Sequence, residues 1–304
     1  MFMHDDARVN VPPWFAMSPF LGPGDAPPPA VNVEAAFGAR SQRGWRHSVN
    51  DHHYLVVHVG RYQETVMTSL PDGEIPDRFG EHGYGMAIAA GMGTAGEAAS
   101  RLALSTLVHL AIYFGKSHVR IDEPVAEEMM DRAFRFYRSI DSTLLQAGSG
   151  RPLGLRSALT MVYSAGQELF FAHVGSSRAY MFRDQQLMQL TPDDGSDDAA
   201  EGARVAAGTA TRTQAPRRLV TETLGGPRGG TAQIAVERVG LLDGDIVLLA
   251  TQSLTELLHD AQIADVLRQT QDPDQQSREL VDLALRAGAR DDVTVLIARY
   301  RIPA

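Results

Sequence analysis

A chain of 304 residues, 44% hydrophobic and 21% charged, is long enough to bury a sizeable core. Its net charge of −9, with no Lys- or Arg-rich run, argues against nucleic acid or an anionic membrane as a partner. The absence of cysteine excludes disulfides, thiolate metal sites and a cysteine nucleophile. Because the first residues contain no apolar signal segment, the expected location is the cytoplasm.

The first half of the chain is predicted to contain an irregular arm, two strands and two long helices. The arm, residues 1–43, is rich in Pro, Gly and Ala. Thr94 precedes Glu97 by three residues, the spacing of a capping box that starts a helix. Hydrophobic periodicity predicts strands at 54–60 and 85–91, and helices from Thr94 and at 124–147.

From residue 157 the hydrophobic period changes to two, which is typical of antiparallel strands. Residues 192–217 have almost no large apolar side chains and are expected to form a mobile excursion. The predicted strands are 157–165, 168–175, 178–184, 186–191, 231–241, 245–251 and 291–300, with helices at 253–259, 261–269 and 273–287. The strands at 231–241 and 245–251 are expected to pair with each other across Gly244. This order predicts an α+β fold with helices outside a two-sheet core.

Small and charged residues recur where the predicted strands end. Strand ends that converge in space are a common way to build a metal or phosphate site. The segments concerned are 46–51, 89–94, 173–180, 244–254 and 288–295.

In order and spacing, these segments resemble the bacterial PPM-type, or type 2C, metal-dependent Ser/Thr protein phosphatases. An Arg followed by Glu-Asp begins the family pattern and appears here as Arg46, Asn50 and Asp51, while Asp-Gly-Met-Gly-Gly appears as Ala90 to Thr94. The Gly-Thr-Thr segment corresponds to Arg156 to Ala158, and Gly-Asp-Ser-Arg to Gly175 to Arg178. Ser-Asp-Gly-Leu and Asp-Asn-Val-Thr correspond to Thr251 to Leu254 and Asp291 to Thr294.

The resemblance runs from about Gly44 to Tyr300 and implies one PPM-type domain over residues 44–304. It implies a fold in which two antiparallel β-sheets form a central sandwich flanked by pairs of α-helices. In that family, two Mg²⁺ or Mn²⁺ ions share a carboxylate and a water molecule, and the water attacks the phosphate.

The resemblance places Asp51, Gly91 and Asp291 at metal-binding positions, but Ala90 at the position of the bridging Asp and Gln252 at that of another ligand Asp. Two divalent ions about 4 Å apart repel by about 16 kcal/mol at an effective dielectric near 20. Two remaining carboxylates would not hold both ions together. The resemblance therefore implies one weakly bound Mg²⁺ or Mn²⁺ at most, and a two-metal centre is not expected.

Each of these residues also has a simpler interpretation. Asp51 and Asp291 are equally well explained as solvated turn acids, and Arg46, which matches the phosphate-binding Arg of the family, as a surface residue. Asp292 would need a local shift to act as a ligand, because neighbours in a strand point to opposite faces. The histidines near the start of the first strand are interpreted as packing or surface residues.

Three functions remain open from the sequence. The first is a pseudophosphatase, a regulatory module that binds a phosphoprotein or a signalling kinase or phosphatase partner. The alternative is a weakly active phosphatase that hydrolyses phosphoserine or phosphothreonine with a single metal-bound water. In the third, the chain is an assembly protein whose cleft is incidental.

Overall fold

A computed structural model of the chain describes residues 33–71, 74–75, 77–116, 121–192, 223–226 and 233–303. The strands are β1 (Glu34–Gln42), β2 (His52–Glu64), β3 (Arg78–Met92), β4 (Arg156–Ala165), β5 (Glu168–Val174), β6 (Arg178–Arg183), β7 (Gln186–Gln189), β8 (Ala235–Gly240), β9 (Ile246–Ala250) and β10 (Val293–Arg301). The helices are α1 (Gly96–Phe114), α2 (Glu123–Ala147), α3 (Gln252–Thr255), α4 (Asp260–Gln269) and α5 (Pro273–Arg286).

The strands form two antiparallel sheets of five strands each. The first sheet has the order β1-β10-β9-β6-β7, and the second has the order β2-β3-β4-β5-β8. Among the antiparallel strands predicted after residue 157, β4 pairs with β5 and β6 pairs with β7 as hairpins. The α+β fold predicted from the resemblance, with a two-sheet sandwich and helices outside, is therefore confirmed.

Three apolar clusters fill the spaces between the layers of the sandwich. Between the sheets, Met86 and Ile88 of the second sheet belong to the same cluster as Leu296 of the first. On the other face of β3, Ala87 and Ala89 pack with α1 and α2, while α4 and α5 cover the outer face of the first sheet. Because successive side chains point to opposite faces, β3 is apolar on both sides and appears as a continuous hydrophobic run.

The predicted pairing of the strands around Gly244 is wrong. β8 pairs with β5 in the second sheet, whereas β9 pairs with β10 and β6 in the first. The turn between them is tied to β10, since the N–H of Gly244 donates to the carbonyl of Tyr300 at 3.0 Å. A short link here crosses from one sheet to the other, and hydrophobic periodicity does not report which sheet a strand joins.

The predicted irregular arm overlaps a strand. Residues 34–42 form β1, which pairs along β10 from Glu34 opposite Arg301 to Gln42 opposite Val293. A Cβ at Gly38 would lie 2.1 Å from the backbone of Pro273, so a small residue there allows α5 to approach the strand. Residues 1–32 of the arm, and 193–217 of the predicted mobile excursion, lie outside the described residues.

None of the helices in the described ranges is both long enough and apolar enough to cross a bilayer.

Candidate metal and phosphate site

Three of the five strand-end segments singled out from the sequence converge at one end of the sandwich. The N–H of Gly91, near the end of β3, donates to the carbonyl of Asp51 at 3.0 Å. The N–H of Arg46 donates to the carbonyl of Arg290 at 3.1 Å, which joins the turn before β2 to the turn before β10. These backbone bonds place the segments 46–51, 89–94 and 288–295 around a common space.

Asp292 connects two of these segments from a buried position. Its Oδ1 accepts the N–H of Gly44 at 2.7 Å, and its Oδ2 accepts the N–H of Asp51 at 2.6 Å. A buried carboxylate that accepts backbone hydrogen bonds fixes the loops that donate them. Asp292 therefore holds the backbone of Asp51 in place.

Asp51 itself is buried against the start of α1. Its Oδ1 accepts the N–H of Glu97 at 3.0 Å. The predicted capping box at Thr94 is wrong, because Gly93–Ala95 form a 3₁₀ turn and α1 begins at Gly96 with no side-chain cap from Ala95, its N-cap residue. A Cβ at Gly96 would lie 2.7 Å from Asp51 Oδ2, so glycine is what lets the carboxylate approach the helix.

His47 is the site residue that sequence reasoning missed. Its Nδ1 lies 3.0 Å from Asp51 Oδ2, and its Nε2 lies 3.5 Å from Asp291 Oδ1. Burial raises the pKa of Asp51, while His47 opposes this rise and the charge of Asp292 adds to it. The available signal was the spacing of four residues between His47 and Asp51 next to the Arg46 motif.

Arg46 and Asp291 form an exposed pair at the rim. Arg46 Nη1 lies 3.4 and 3.3 Å from the two carboxylate oxygens of Asp291, and the side chains are 50% and 48% exposed. Exposed ion pairs of this kind contribute about 0–1 kcal/mol. The pair uses one guanidinium nitrogen, and the fork geometry of Arg suits phosphate oxygens.

Ala90 and Gln252 supply no carboxylate to the site. Ala90 is buried between His52 on β2 and Ala158 on β4 in the strand register. Gln252 begins α3, and its Nε2 donates to Glu256 Oε1 at 2.8 Å.

The histidines of β2 have packing roles. His52 Nδ1 lies 3.4 Å from Thr294 Oγ1 of the first sheet, and burial lowers the pKa of His52 to about 4. On the opposite face, His53 Nδ1 lies 2.8 Å from Ser100 Oγ. His58 stacks on the ring of Tyr84 at a centroid distance of 5.0 Å. The three side chains thus make separate contacts.

One group of side chains at the site could hold a metal ion. Within the described ranges, one group of three metal-capable residues is present, His47, Asp51 and Asp292, whose ligand atoms all lie within 4.8 Å of one another. The cluster contains Asp292 and not Asp291. From the sequence, Asp292 was expected to act as a ligand only after a local shift of the strand. Two adjacent divalent ions need several carboxylates to offset their repulsion, and Ala90 and Gln252 provide none.

Known proteins similar to this chain are PPM phosphatases. The chain matches no protein-family model. Over 218 residues, 70% of the chain, it is 31% identical to the serine/threonine protein phosphatase PstP of Mycobacterium tuberculosis. The chain spans 40% of the length of PstP.

Solved structures of the same class share the fold. The catalytic domain of PstP, solved in complex with two manganese ions, has a TM-score of 0.62 and 25% identity, and the match covers 89% of this chain and 100% of that domain. The Streptococcus agalactiae serine/threonine phosphatase has a TM-score of 0.64 at 20% identity, with the same coverage of 89% and 100%, which shows the fold alone. In sequence and in fold, the relatives and structural neighbours of this chain are therefore PPM-type (type 2C) Ser/Thr protein phosphatases.

Proposed function

We propose that this chain is a pseudophosphatase, a PPM-type domain that binds phosphorylated protein without two-metal hydrolysis. The proposal is supported by the absence of a carboxylate at positions 90 and 252, which lie near the ends of two strands. Ala90 is a buried alanine where the resemblance expects a bridging carboxylate, and the amide of Gln252 is bonded to Glu256.

The physical argument concerns the repulsion between the metal ions. A shared carboxylate between two divalent ions screens their repulsion, which is about 16 kcal/mol at 4 Å and an effective dielectric near 20. At position 90 the side chain is a methyl group, so nothing there can bridge two ions. Two-metal hydrolysis needs one ion to activate the attacking water and a second ion to bind the phosphate. Without a bridging carboxylate, this pair of ions is not expected to assemble.

The groups that remain suit binding. Arg46 lies at the exposed rim, and its guanidinium can donate hydrogen bonds to a phosphate group. Binding in this way would break only the weak, exposed pair with Asp291. The imidazole of His47 lies beside the carboxylate of Asp291 and adds a hydrogen-bond donor close to that carboxylate. A cytoplasmic phosphoprotein, or a signalling kinase or phosphatase, is the proposed partner, and the proposed role is regulatory.

One observation favours a second candidate function. The cluster of His47, Asp51 and Asp292 can hold a single Mg²⁺ or Mn²⁺ ion. When bound, such an ion lowers the pKa of a water molecule. A weakly active phosphatase that hydrolyses phosphoserine or phosphothreonine with one metal-bound water is therefore the alternative.

A hydrolysis assay separates the two functions. The purified protein is incubated with phosphoserine and phosphothreonine peptides in millimolar Mn²⁺ or Mg²⁺, alongside His47→Ala and Asp291→Ala variants. The pseudophosphatase proposal expects no release of phosphate above the buffer rate. It also expects peptide binding that Arg46→Ala weakens by about tenfold, the loss of one charged hydrogen-bonded pair. Release of phosphate that disappears in either variant would establish the single-metal enzyme instead.

A further inference from the structure

Arg156, the first residue of β4, carries an unsatisfied hydrogen-bond donor. Its Nε is buried and has no hydrogen-bond partner within the described part of the chain, as is also the case for Arg132 and Arg299. Buried polar groups in folded proteins are almost always hydrogen-bonded, and a buried charge without a partner is costly. The Nε–H of Arg156 is therefore an unsatisfied donor on a charged, partly exposed side chain, and an anionic acceptor would satisfy it.

The strand register places Arg156 at the end of the cleft between the sheets. Ala158 lies opposite Ala90, and Arg156 lies opposite Met92. Since side chains alternate along a strand, Arg156 shares a face with Ala90, the same face on which Ile88 packs between the sheets. The cationic side chain is thus on the side where the resemblance expects the bridging carboxylate and its metal ions.

The guanidinium reaches the turn that ends β3. Arg156 Nη2 lies 3.8 Å from the position that a Cβ on Gly93 would occupy. Gly93 has a φ of +76°, which any other residue adopts with strain. The turn leads directly into α1, whose amino-terminal end carries a partial positive charge. The positive end of the helix and the charge of the guanidinium both favour an anion beside Arg156.

The three acids of the candidate site are already engaged with other groups. Asp51 is close to His47 and accepts the N–H of Glu97. Asp291 pairs with Arg46. Asp292 accepts two backbone N–H groups. In the described residues, Arg156 is therefore a cation with no acid assigned to it, next to a carboxylate position that alanine occupies.

We propose that Arg156 binds a phosphate oxyanion in this cleft, so that a guanidinium replaces the metal ions as the group that holds phosphate. A guanidinium forms paired hydrogen bonds with phosphate oxygens and keeps its charge at all physiological pH values. The phosphate is that of a phosphoserine or phosphothreonine side chain, or free inorganic phosphate. The inference rests on the proposed function for the identity of the ligand, not for the existence of the anion site.

Binding measured without metal tests the proposal. Calorimetric titrations in EDTA use a phosphoserine peptide in one arm and inorganic phosphate in the other. Arg156→Met removes the charge and keeps a side chain of similar length, while Arg151→Met removes a charge from an exposed position five residues away. The expected result is binding at least about tenfold weaker in Arg156→Met and within about twofold of wild type in Arg151→Met.

A third variant keeps the test valid if Arg156→Met does not fold, which circular dichroism and thermal melting reveal. Arg156→Lys retains the charge without the forked geometry of the guanidinium. Its affinity for phosphate is expected to lie between that of the wild type and that of Arg156→Met. Unchanged peptide and phosphate binding in the folded Arg156 variants would overturn the inference and leave the proposed function standing.

The two arms also separate the inference from the proposed function. Phosphate binding that depends on Arg156, in a protein that binds no phosphopeptide, supports the anion site and contradicts the pseudophosphatase proposal. Wild-type protein that binds neither ligand in EDTA contradicts the anion site itself.

Discussion

The carboxylate of Asp292 accepts the backbone N–H of Asp51 at 2.6 Å, a contact between residues 241 positions apart in the chain. The same carboxylate accepts the N–H of Gly44. This buried contact holds the turn before β2 against the turn before β10, and so creates the geometry in which His47 and Asp51 meet. Asp291, one residue earlier, is half exposed and pairs only at the rim.

Asp292→Ala is expected to destabilise the protein by about 2–4 kcal/mol, because two buried N–H groups lose their acceptor. Asp291→Ala is the matched control and is expected to change stability by less than about 1 kcal/mol, since it removes an exposed pair. Urea unfolding of both variants gives the comparison. Equal losses in the two variants would contradict the structural role assigned to Asp292.

Gly96→Ala tests the close approach of Asp51 to α1. The new Cβ would lie 2.7 Å from Asp51 Oδ2, and we expect the forced shift to cost about 1–3 kcal/mol. At Gly240 a Cβ would meet nothing within 4 Å, so Gly240→Ala is the control. The free energy of unfolding of each variant is the measurement, and a Gly96→Ala protein as stable as Gly240→Ala would show that the carboxylate is not held against the helix.

Stability should fall on mild acidification because of His52. Its pKa in the folded state is about 4, below the ordinary value of 6.5, so the folded state binds fewer protons than the unfolded state between these values. The stabilising contribution of neutral His52 is therefore present above pH 6.5 and is lost as the pH falls towards 4. The raised pKa of Asp51 acts in the opposite direction, because the folded state then binds protons more readily at that carboxyl.

His52→Gln isolates the contribution of the histidine. We expect the variant to lose less stability than the wild type between pH 7.5 and pH 5.5, measured by urea unfolding at three pH values. Wild type and variant with the same pH dependence would show that His52 is not kept neutral by its surroundings.

Ala90→Asp combined with Gln252→Asp should restore a metal-dependent site. Position 90 is buried, so the added carboxylate is expected to lower the melting temperature in EDTA. Mn²⁺ should then raise the melting temperature of this variant more than that of the wild type, because the ion binds only the folded protein. Phosphopeptide hydrolysis should appear with it.

The control for that prediction is Ala90→Asn with Gln252→Asn, which gives side chains of the same size without charge. If Mn²⁺ stabilises the Asp and Asn variants equally, then the missing carboxylates are not what prevents metal binding in the native chain.

Much of the fold followed from the sequence, because burial leaves a strong periodic pattern. The continuous apolar run around Ile88 and the period-two segments after residue 157 each predicted a strand that the structure contains. The pairing of β8 and β9 did not follow, since both strands alternate in the same way whichever sheet they join. β1 was missed because small and polar residues such as Gly38 give an edge strand no clear period.

The site was only partly predictable for a related reason. The family resemblance implied that Asp51, Gly91 and Asp291 occupy metal-binding positions, and the structure places these residues at the same end of the sandwich. The role of Asp292 depends on contacts across loops that no local pattern encodes. For His47, the spacing of four residues to Asp51 was the available local signal. Arg156 was visible as a departure from the family's glycine, but its unpartnered Nε appears only once the strands are paired.

The central claim is that this cleft cannot assemble a pair of divalent ions. A titration with Mn²⁺, in which electron paramagnetic resonance reports the free ion, counts the ions bound per chain. We expect at most one weakly bound Mn²⁺ per chain. Two ions bound with similar, tight affinity in the wild-type protein would contradict this expectation.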